Sequence, residues 1–250
     1  MKIGIVSDIH GNFHALQAVL KDIQFNQCDM VVFLGDYIFA GVNNNEILDL
    51  LISYESIHEN AIVLKGNIED LIYPIESKEE WIYPINYDIY SNFTQEHINW
   101  IKGLKSDHIE VVENKVIKFI HNPCEDFLYE MVNPIKREQN KIKKSAFEKL
   151  SSETKEDVLI YGHYHLFLDE QVSETRFICP SSVGTPFNGS ASAQYMIISV
   201  ESNNIRTKCI EVDYDINSQI LCLKDHIFYK KHRDNLNKYI RTIESGHNYL

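Results

Sequence analysis

Five short apolar runs in this chain each lead to a side chain able to hold a cation, and that recurrence limits the fold more than any other feature. The chain opens MKIGIVSDIHGN, in which Ile3 to Val6 run into Asp8 and His10, two residues apart, and then Gly11. MVVFL (30–34) meets Gly35-Asp36, AIVL (61–64) is followed by Gly66-Asn67, VIKFI (116–120) ends at His121, and VLIY (158–161) meets Gly162-His163-Tyr164-His165. An apolar strand that delivers a polar side chain at its end belongs at the lip of a parallel sheet, where open α/β folds collect their ligand-binding residues. Asp, Asn and His offer oxygen and nitrogen donors suited to a divalent ion. A single Asp-x-His triplet reads as a capped turn. Five such endings in order do not.

Between these endings the pattern is strand, helix, strand, helix, strand as far as residue 67, which implies right-handed βαβ units and a parallel sheet. Phe13, Leu16, Val19, Leu20 and Ile23 follow Gly11-Asn12 at helical spacing, and a second helix begins near Asn45 with Ile47, Leu48, Leu51 and Ile52. Residues 68–110 differ, with Tyr73, Trp81, Tyr83, Tyr87, Tyr90, Phe93 and Trp100 crowded around Pro74 and Pro84. They read as a cap inserted near the site, most aromatics packing it down and one or two free to stack on a base or aryl group. Thr94 caps a helix running to Leu104. A lysine-rich helical region from about Arg137, closing at Ser145 to Leu150, presents a solvated face. Arg176 to Cys179, Tyr195 to Val200 and Ile205 to Val212 form a later antiparallel set, with a turn at Asn203-Asn204. Residues 213–250 are helices and a polar tail. The expectation is one domain, 1–250, with 68–110 inserted and 213–250 appended.

A chain of 250 residues with 44% hydrophobic and 24% charged content can bury a substantial core. The net charge of −12 is spread along the sequence and repels long nucleic acid, while small phosphorylated molecules answer to the local charge of a metal site. Cys28, Cys124, Cys179, Cys209 and Cys222 are scattered and odd in number, which reads as reduced thiols. With no secretory pattern at the start and no apolar run of about 20 residues, the expectation is a cytoplasmic protein without a membrane partner. Nothing in the sequence specifies an oligomeric state.

The ordered set Asp8-x-His10, Gly35-Asp36, Gly66-Asn67-x-Glu69, His121 and Gly162-His163-x-His165 resembles the calcineurin-like metallophosphoesterase superfamily over about residues 1–212. The resemblance implies a sandwich of two mixed β-sheets flanked by helices. It also implies two divalent ions: Asp8, His10 and His165 on one, Asn67, His121 and His163 on the other, Asp36 bridging them. These seven residues are the expected catalytic and metal-binding set. Manganese is the expected metal, with iron or zinc as alternatives, since the donors are nitrogen and oxygen without thiolate. The implied activity is hydrolysis of small phosphodiesters, phosphoanhydrides such as dinucleoside polyphosphates, or phosphomonoesters, through in-line attack by a hydroxide bridging the ions. By charge count, two ions less Asp8, Asp36 and the hydroxide leave about +1 to attract a phosphate anion. Asn12 is expected to position the substrate phosphate through its amide, and His14, one helical turn beyond His10, to face the mouth of the site. Glu69 and Asp70 either hydrogen-bond ligand histidines or cap the helix after Asn67. Ser181 to Gly184 resembles the small-residue turn this superfamily sets near its metals.

One position departs from the pattern. Many members carry a histidine after Gly-Asn, able to protonate the leaving group, where this chain has Ile68. That places it nearer the small bacterial and archaeal phosphodiesterase branch. Within that branch, Asp8 to Asn12, Gly184-x-Pro186-Phe187 and Ala193-Gln194-Tyr195-Met196 look most like diadenosine-polyphosphate-type hydrolases. Two other readings use the same fold. A silent interaction scaffold, as in the retromer complex, tolerates lost ligands, whereas every position is filled here. A nuclease is disfavoured by the acidic balance.

Overall fold

The computed structural model describes residues 1–72, 84–123, 129–130, 141–142, 144–201 and 204–250. Tyr73, Pro74, Trp81, Tyr83, Cys124, Asn203 and the expected helix start near Arg137 lie outside them. In chain order the elements are β1 (Lys2–Val6), α1 (Phe13–Phe25), β2 (Met30–Phe33), α2 (Asn44–Ile57), β3 (Ala61–Val63), α3 (Asn67–Asp70), α4 (Pro84–Tyr90), α5 (Gln95–Gly103), β4 (Asp107–Val112) and β5 (Lys115–Ile120). There follow β6 (Tyr129–Glu130), β7 (Lys141–Ile142), α6 (Lys144–Glu153), β8 (Val158–Tyr161), β9 (Phe167–Val172), β10 (Thr175–Pro180), β11 (Ala193–Glu201), β12 (Asn204–Val212), α7 (Ile216–Asp225) and α8 (Arg233–Ser245).

Two five-stranded sheets face each other, ordered β12-β11-β1-β2-β3 and β4-β5-β8-β10-β9. In the first, β1, β2 and β3 are parallel, and β11 and β12 add antiparallel beyond β1. In the second, β5, β8 and β10 are parallel, with antiparallel β4 and β9 at the edges. The strand alternation explains why both faces are apolar. Met30, Val32 and Leu34 meet Ile117, Phe119, Val158, Ile160 and Ile178 between the sheets. Val31 and Phe33 turn to the outer face, where α1, α2, α7 and α8 bring Leu16, Val19, Leu48, Leu51, Leu223 and Leu236. On the far side, Leu159, Tyr161, Phe177 and Cys179 pack against Phe147 and Leu150 of α6. The doubly flanked sandwich implied by the resemblance is what the chain forms.

The expected later antiparallel set is divided. β11 and β12 form a hairpin in full register, Ala193↔Val212 to Glu201↔Asn204, but β10 lies in the other sheet, parallel to β8. A strand buried on both faces carries no pattern that names its neighbours. The 68–110 segment also ends differently, because Asp107–Val112 is an edge strand paired with β5. Its helices are tied to the rest by polar side-chain contacts. His97 Nε2 lies 2.8 Å from Asp49 Oδ1 on α2, and Asp88 on α4 meets Lys231 Nζ and His232 Nε2, each at 2.5 Å. Among the described residues, no helix is long and apolar enough to cross a membrane.

Candidate metal centre

All seven expected ligand residues converge at the carboxyl ends of the parallel strands, and most are held there in an unfavourable backbone. Asp8, His10, Asp36, His163 and His165 have φ of 56°, 49°, 56°, 72° and 56°. Left-handed conformations in non-glycine residues cost of order 1–3 kcal/mol each and persist only where the surroundings enforce them. Backbone bonds do so here: Asp8 N–H donates to Gly35 O at 3.0 Å, Ile9 and His10 N–H both reach Asp36 O at 2.8 and 3.1 Å, and Gly162 N–H reaches His121 O at 3.0 Å. The loops after β1 and β2 are stitched together, as are those after β5 and β8. Glycine makes the approach close enough. A Cβ on Gly66 would collide with Asp36 Oδ1, and one on Gly162 with Ser7 Oγ.

Two triads result, Asp8–His10–His165 and Asp36–His121–His163, the ligand atoms of each lying within 4.8 Å of one another. In the first, His165 Nε2 is 3.1 Å from Asp8 Oδ1 and 3.2 Å from His10 Nε2. In the second, His121 Nε2 is 3.2 Å from Asp36 Oδ2, and His163 Nδ1 is 2.9 Å from Asn67 Oδ1, which brings Asn67 to its edge. The triads adjoin: Asp36 Oδ2 is also 3.8 Å from His10 Nε2, and Asp8 Oδ1 is 3.9 Å from His121 Nε2. The other Asp36 oxygen is engaged, accepting the Ile68 N–H at 2.9 Å.

The donors fit a cation. Asp8 Oδ1 and both His121 ring nitrogens are buried without a well-aligned hydrogen bond, an arrangement that costs about 1–3 kcal/mol per atom unless something else fills it. His165 Nδ1 lies 2.7 Å from Thr185 O; donating its proton there leaves Nε2 as a lone pair. Burial works against ionised Asp8 and Asp36, yet His165, His121 and His10 around Asp8, and His121 and His10 beside Asp36, hold both carboxyls below their ordinary values. His121 is likewise opposed by burial, but Asp36 and then Asp8 push it up to about 9. Burial, followed by His165, pushes His10 down to about 4, and burial followed by His121 lowers His163.

The two side chains expected to meet substrate, Asn12 and His14, are both engaged within the protein. Asn12 has no amide donor left for a phosphate, because Nδ2 donates to Gly184 O at 3.1 Å and Tyr214 Oη at 3.0 Å while Oδ1 caps α1 by accepting from Ala15 N–H at 3.2 Å. His14 is engaged by α7. Its Nδ1 sits 2.8 Å from Gln219 Oε1, so the ring is held against α7. Glu69 and Asp70 touch no ligand histidine: Asp70 pairs with Lys65 at 2.6 Å, and Glu69 binds backbone. Glu69 Oε2 accepts from Asp36 N–H at 2.8 Å and Gly66 N–H at 2.7 Å, and Oε1 from Tyr37 N–H at 2.8 Å. Burial, and then Asp36, push this carboxyl up to about 7 against the pull of those N–H groups. Every contact is a donor, so the ionised form is the one this pocket solvates.

The 181–184 turn does brace the centre, with Ser182 Oγ donating to Asp8 O at 2.7 Å and Gly184 N–H reaching the same oxygen at 3.0 Å. Sequence reasoning missed Phe187, whose ring stacks on His165 with centroids 4.4 Å apart. Its only signal was its place in the Gly184-x-Pro186-Phe187 string.

Two adjoining triads able to hold cations, at the strand ends of such a sandwich, fit a metal-dependent phosphoesterase. The sequence model of the calcineurin-like phosphoesterase superfamily domain matches residues 1–203. A relative from Methanocaldococcus jannaschii, known as uncharacterized protein MJ0912, is 26% identical over 239 residues, spanning 86% of this chain and 88% of that one. The crystal structure of hypothetical protein PH1004 from Pyrococcus horikoshii OT3 superposes with a TM-score of 0.75 at 18% identity, over 99% of each chain. A metallophosphoesterase from Sphaerobacter thermophilus gives 0.72 at 18% identity, over 98% of this chain and 99% of that one. The chain belongs to the calcineurin-like phosphoesterase superfamily, hydrolases acting on phosphoric ester bonds.

Proposed function

We propose that the chain is a two-metal hydrolase of small phosphodiesters, phosphoanhydrides or phosphomonoesters, with Asp8, His10 and His165 on one ion, Asn67, His121 and His163 on the other, and Asp36 between them. The observation that carries this reading is the placement of Asp36 Oδ2, within 3.2 Å of His121 Nε2 and 3.8 Å of His10 Nε2 and thus facing both triads. When bound, divalent ions supply Lewis-acid charge that activates water and stabilises phosphoryl oxygens; manganese is the preferred candidate.

The protein's own part is to fix the donors. Ile68 N–H holds one Asp36 oxygen so that the other faces the centre, Thr185 O orients His165, and Glu69 fastens the Asp36 loop to Gly66. The stitched loops admit little reorganisation as charge develops on a substrate phosphate, the condition for electrostatic catalysis. Position 68 gives no proton, so the leaving group departs as an anion or takes its proton from solvent. That favours anhydrides and aryl esters over alkyl esters. Screening the manganese-loaded chain against phosphomonoesters, phosphodiesters and dinucleoside polyphosphates tests the reading. Turnover that chelation abolishes is expected, and no turnover of any class would overturn it.

A further inference from the structure

Beside the metal centre a cavity of about 300 Å³ reaches His10, and its far walls come from neither sheet. Phe39, Ile68 and Ile85 give it apolar sides, Asn86 on α4 and Asn235 on α8 contribute carboxamides, and Lys238 supplies a cation. Asn86 is buried to 7% exposure, Asn235 is half-buried and Lys238 is exposed. The two walls are locked together, because Asp88 on α4 is gripped by Lys231 and His232 at the start of α8, each at 2.5 Å. Pockets for small organic molecules have this character: several hundred Å³, mostly apolar, with a few placed polar groups.

Resting on the phosphoesterase reading, we infer that this cavity receives the organic group of the substrate, and that the group is a flat, uncharged heteroaromatic of the nucleobase kind. A carboxamide offers a donor and an acceptor side by side, the complement of a heterocycle edge that carries an acceptor next to a donor. Apolar walls cover the ring faces, which a polyhydroxylated sugar alone would wet. A purely aliphatic group would leave the two carboxamides unpaired once water is expelled. Among the described residues that line the cavity no side chain is a carboxylate that would hold an ammonium head group, whereas phosphate oxygens turned away from the ions would be drawn to Lys238. The helices outside the sandwich thereby set specificity. Tyr73, Trp81 and Tyr83, three of the aromatics expected to stack, lie outside the described residues; within them the 68–110 segment brings Ile68, Ile85 and Asn86 to the cavity.

Calorimetric titration of the manganese-loaded and metal-free chain with adenosine 5′-monophosphate, phosphocholine and inorganic phosphate tests the assignment. The nucleotide should bind the loaded chain at least about tenfold more tightly than phosphate, with phosphocholine no tighter than phosphate. Asn235→Ala and Lys238→Met lie on a partly exposed helix face. Each should weaken nucleotide binding by about three- to tenfold, as loss of one polar contact does, and shift the nucleotide-to-phosphate ratio. Equal affinities, a preference for phosphocholine, or variants that weaken all three alike would overturn the proposal. The two readings fail separately. Phosphate binding and turnover of bis(p-nitrophenyl) phosphate without a nucleotide preference would remove the pocket and leave the phosphoesterase. Nucleotide binding that depends on Asn235, in a chain that turns over nothing, would do the reverse.

Discussion

Replacing Glu69 by glutamine tests whether the Asp36 loop is held as described. The side chain is fully buried, and all three of its contacts are backbone N–H donors, from Asp36 at 2.8 Å, Gly66 at 2.7 Å and Tyr37 at 2.8 Å. Glutamine keeps the shape but brings only one acceptor oxygen. Placed where Oε2 now takes two bonds, it turns its NH₂ toward the Tyr37 N–H, donor against donor. That forfeits one charge-assisted bond of about 1.5–3 kcal/mol and leaves a buried N–H unpaired at about 1–3 kcal/mol. Removing a buried carboxylate from beside Asp36 returns part of this, since burial, and then that neighbour, raise the Glu69 carboxyl to about 7. A net loss of about 2–4 kcal/mol remains, which for a chain of this size lowers Tm by about 5–15 °C. Thermal denaturation of the metal-free protein measures it, and manganese affinity should fall as well because Asp36 loses its anchor. A Tm lowered by less than 1 °C would refute the anchoring argument. So would a variant of unchanged Tm and metal content that has lost turnover, for Glu69 would then be acting on substrate.

Three further substitutions probe the same construction. Asp36→Asn keeps an acceptor for the Ile68 N–H but sets an amide NH₂ toward both triads; elemental analysis should show less bound metal, and turnover should drop at least about 10²-fold. Two retained ions with full hydrolysis would contradict the bridging role. Gly66→Ala forces its Cβ into Asp36, and the expected result is a chain with lower Tm and weakened metal binding, whereas wild-type values would deny the close approach. Ile68→His places an imidazole beside Asn67, where a general acid is worth about 10²–10⁴-fold. Measured as kcat/KM over leaving groups of graded pKa, it should speed alkyl esters more than nitrophenyl esters. A flat wild-type dependence, with chemistry rate-limiting, would mean that another residue is the acid.

The centre was legible because metal binding demands particular donors at particular strand ends, and apolar runs mark those ends in the sequence. Asp8, His10, Asp36, Asn67, His121, His163 and His165 each carry their own marker, a strand before and in most cases a glycine beside. The partners of Asn12 and His14 were not legible, because sequence shows a side chain's chemistry but not what has already claimed it. Tyr214, Gly184 and Gln219 engage them from 170 or more residues away. The partners of β10 were hidden for a related reason: strands buried on both faces look alike, and register between distant segments leaves no local trace. Asn235 and Lys238 lie beyond the last apolar residue that the sequence marks as helical, Phe228, in a polar stretch that folds as α8 and lines the cavity with His10.

The central claim is that two ions lie side by side, one in each triad. Anomalous diffraction at the manganese edge from crystals of the loaded chain tests it without reference to any substrate. The account predicts two peaks about 3.5–4 Å apart, one contacting Asp8, His10 and His165 and the other His121, His163 and Asn67, with Asp36 reaching both. A single peak at full loading, or peaks away from these side chains, would contradict it.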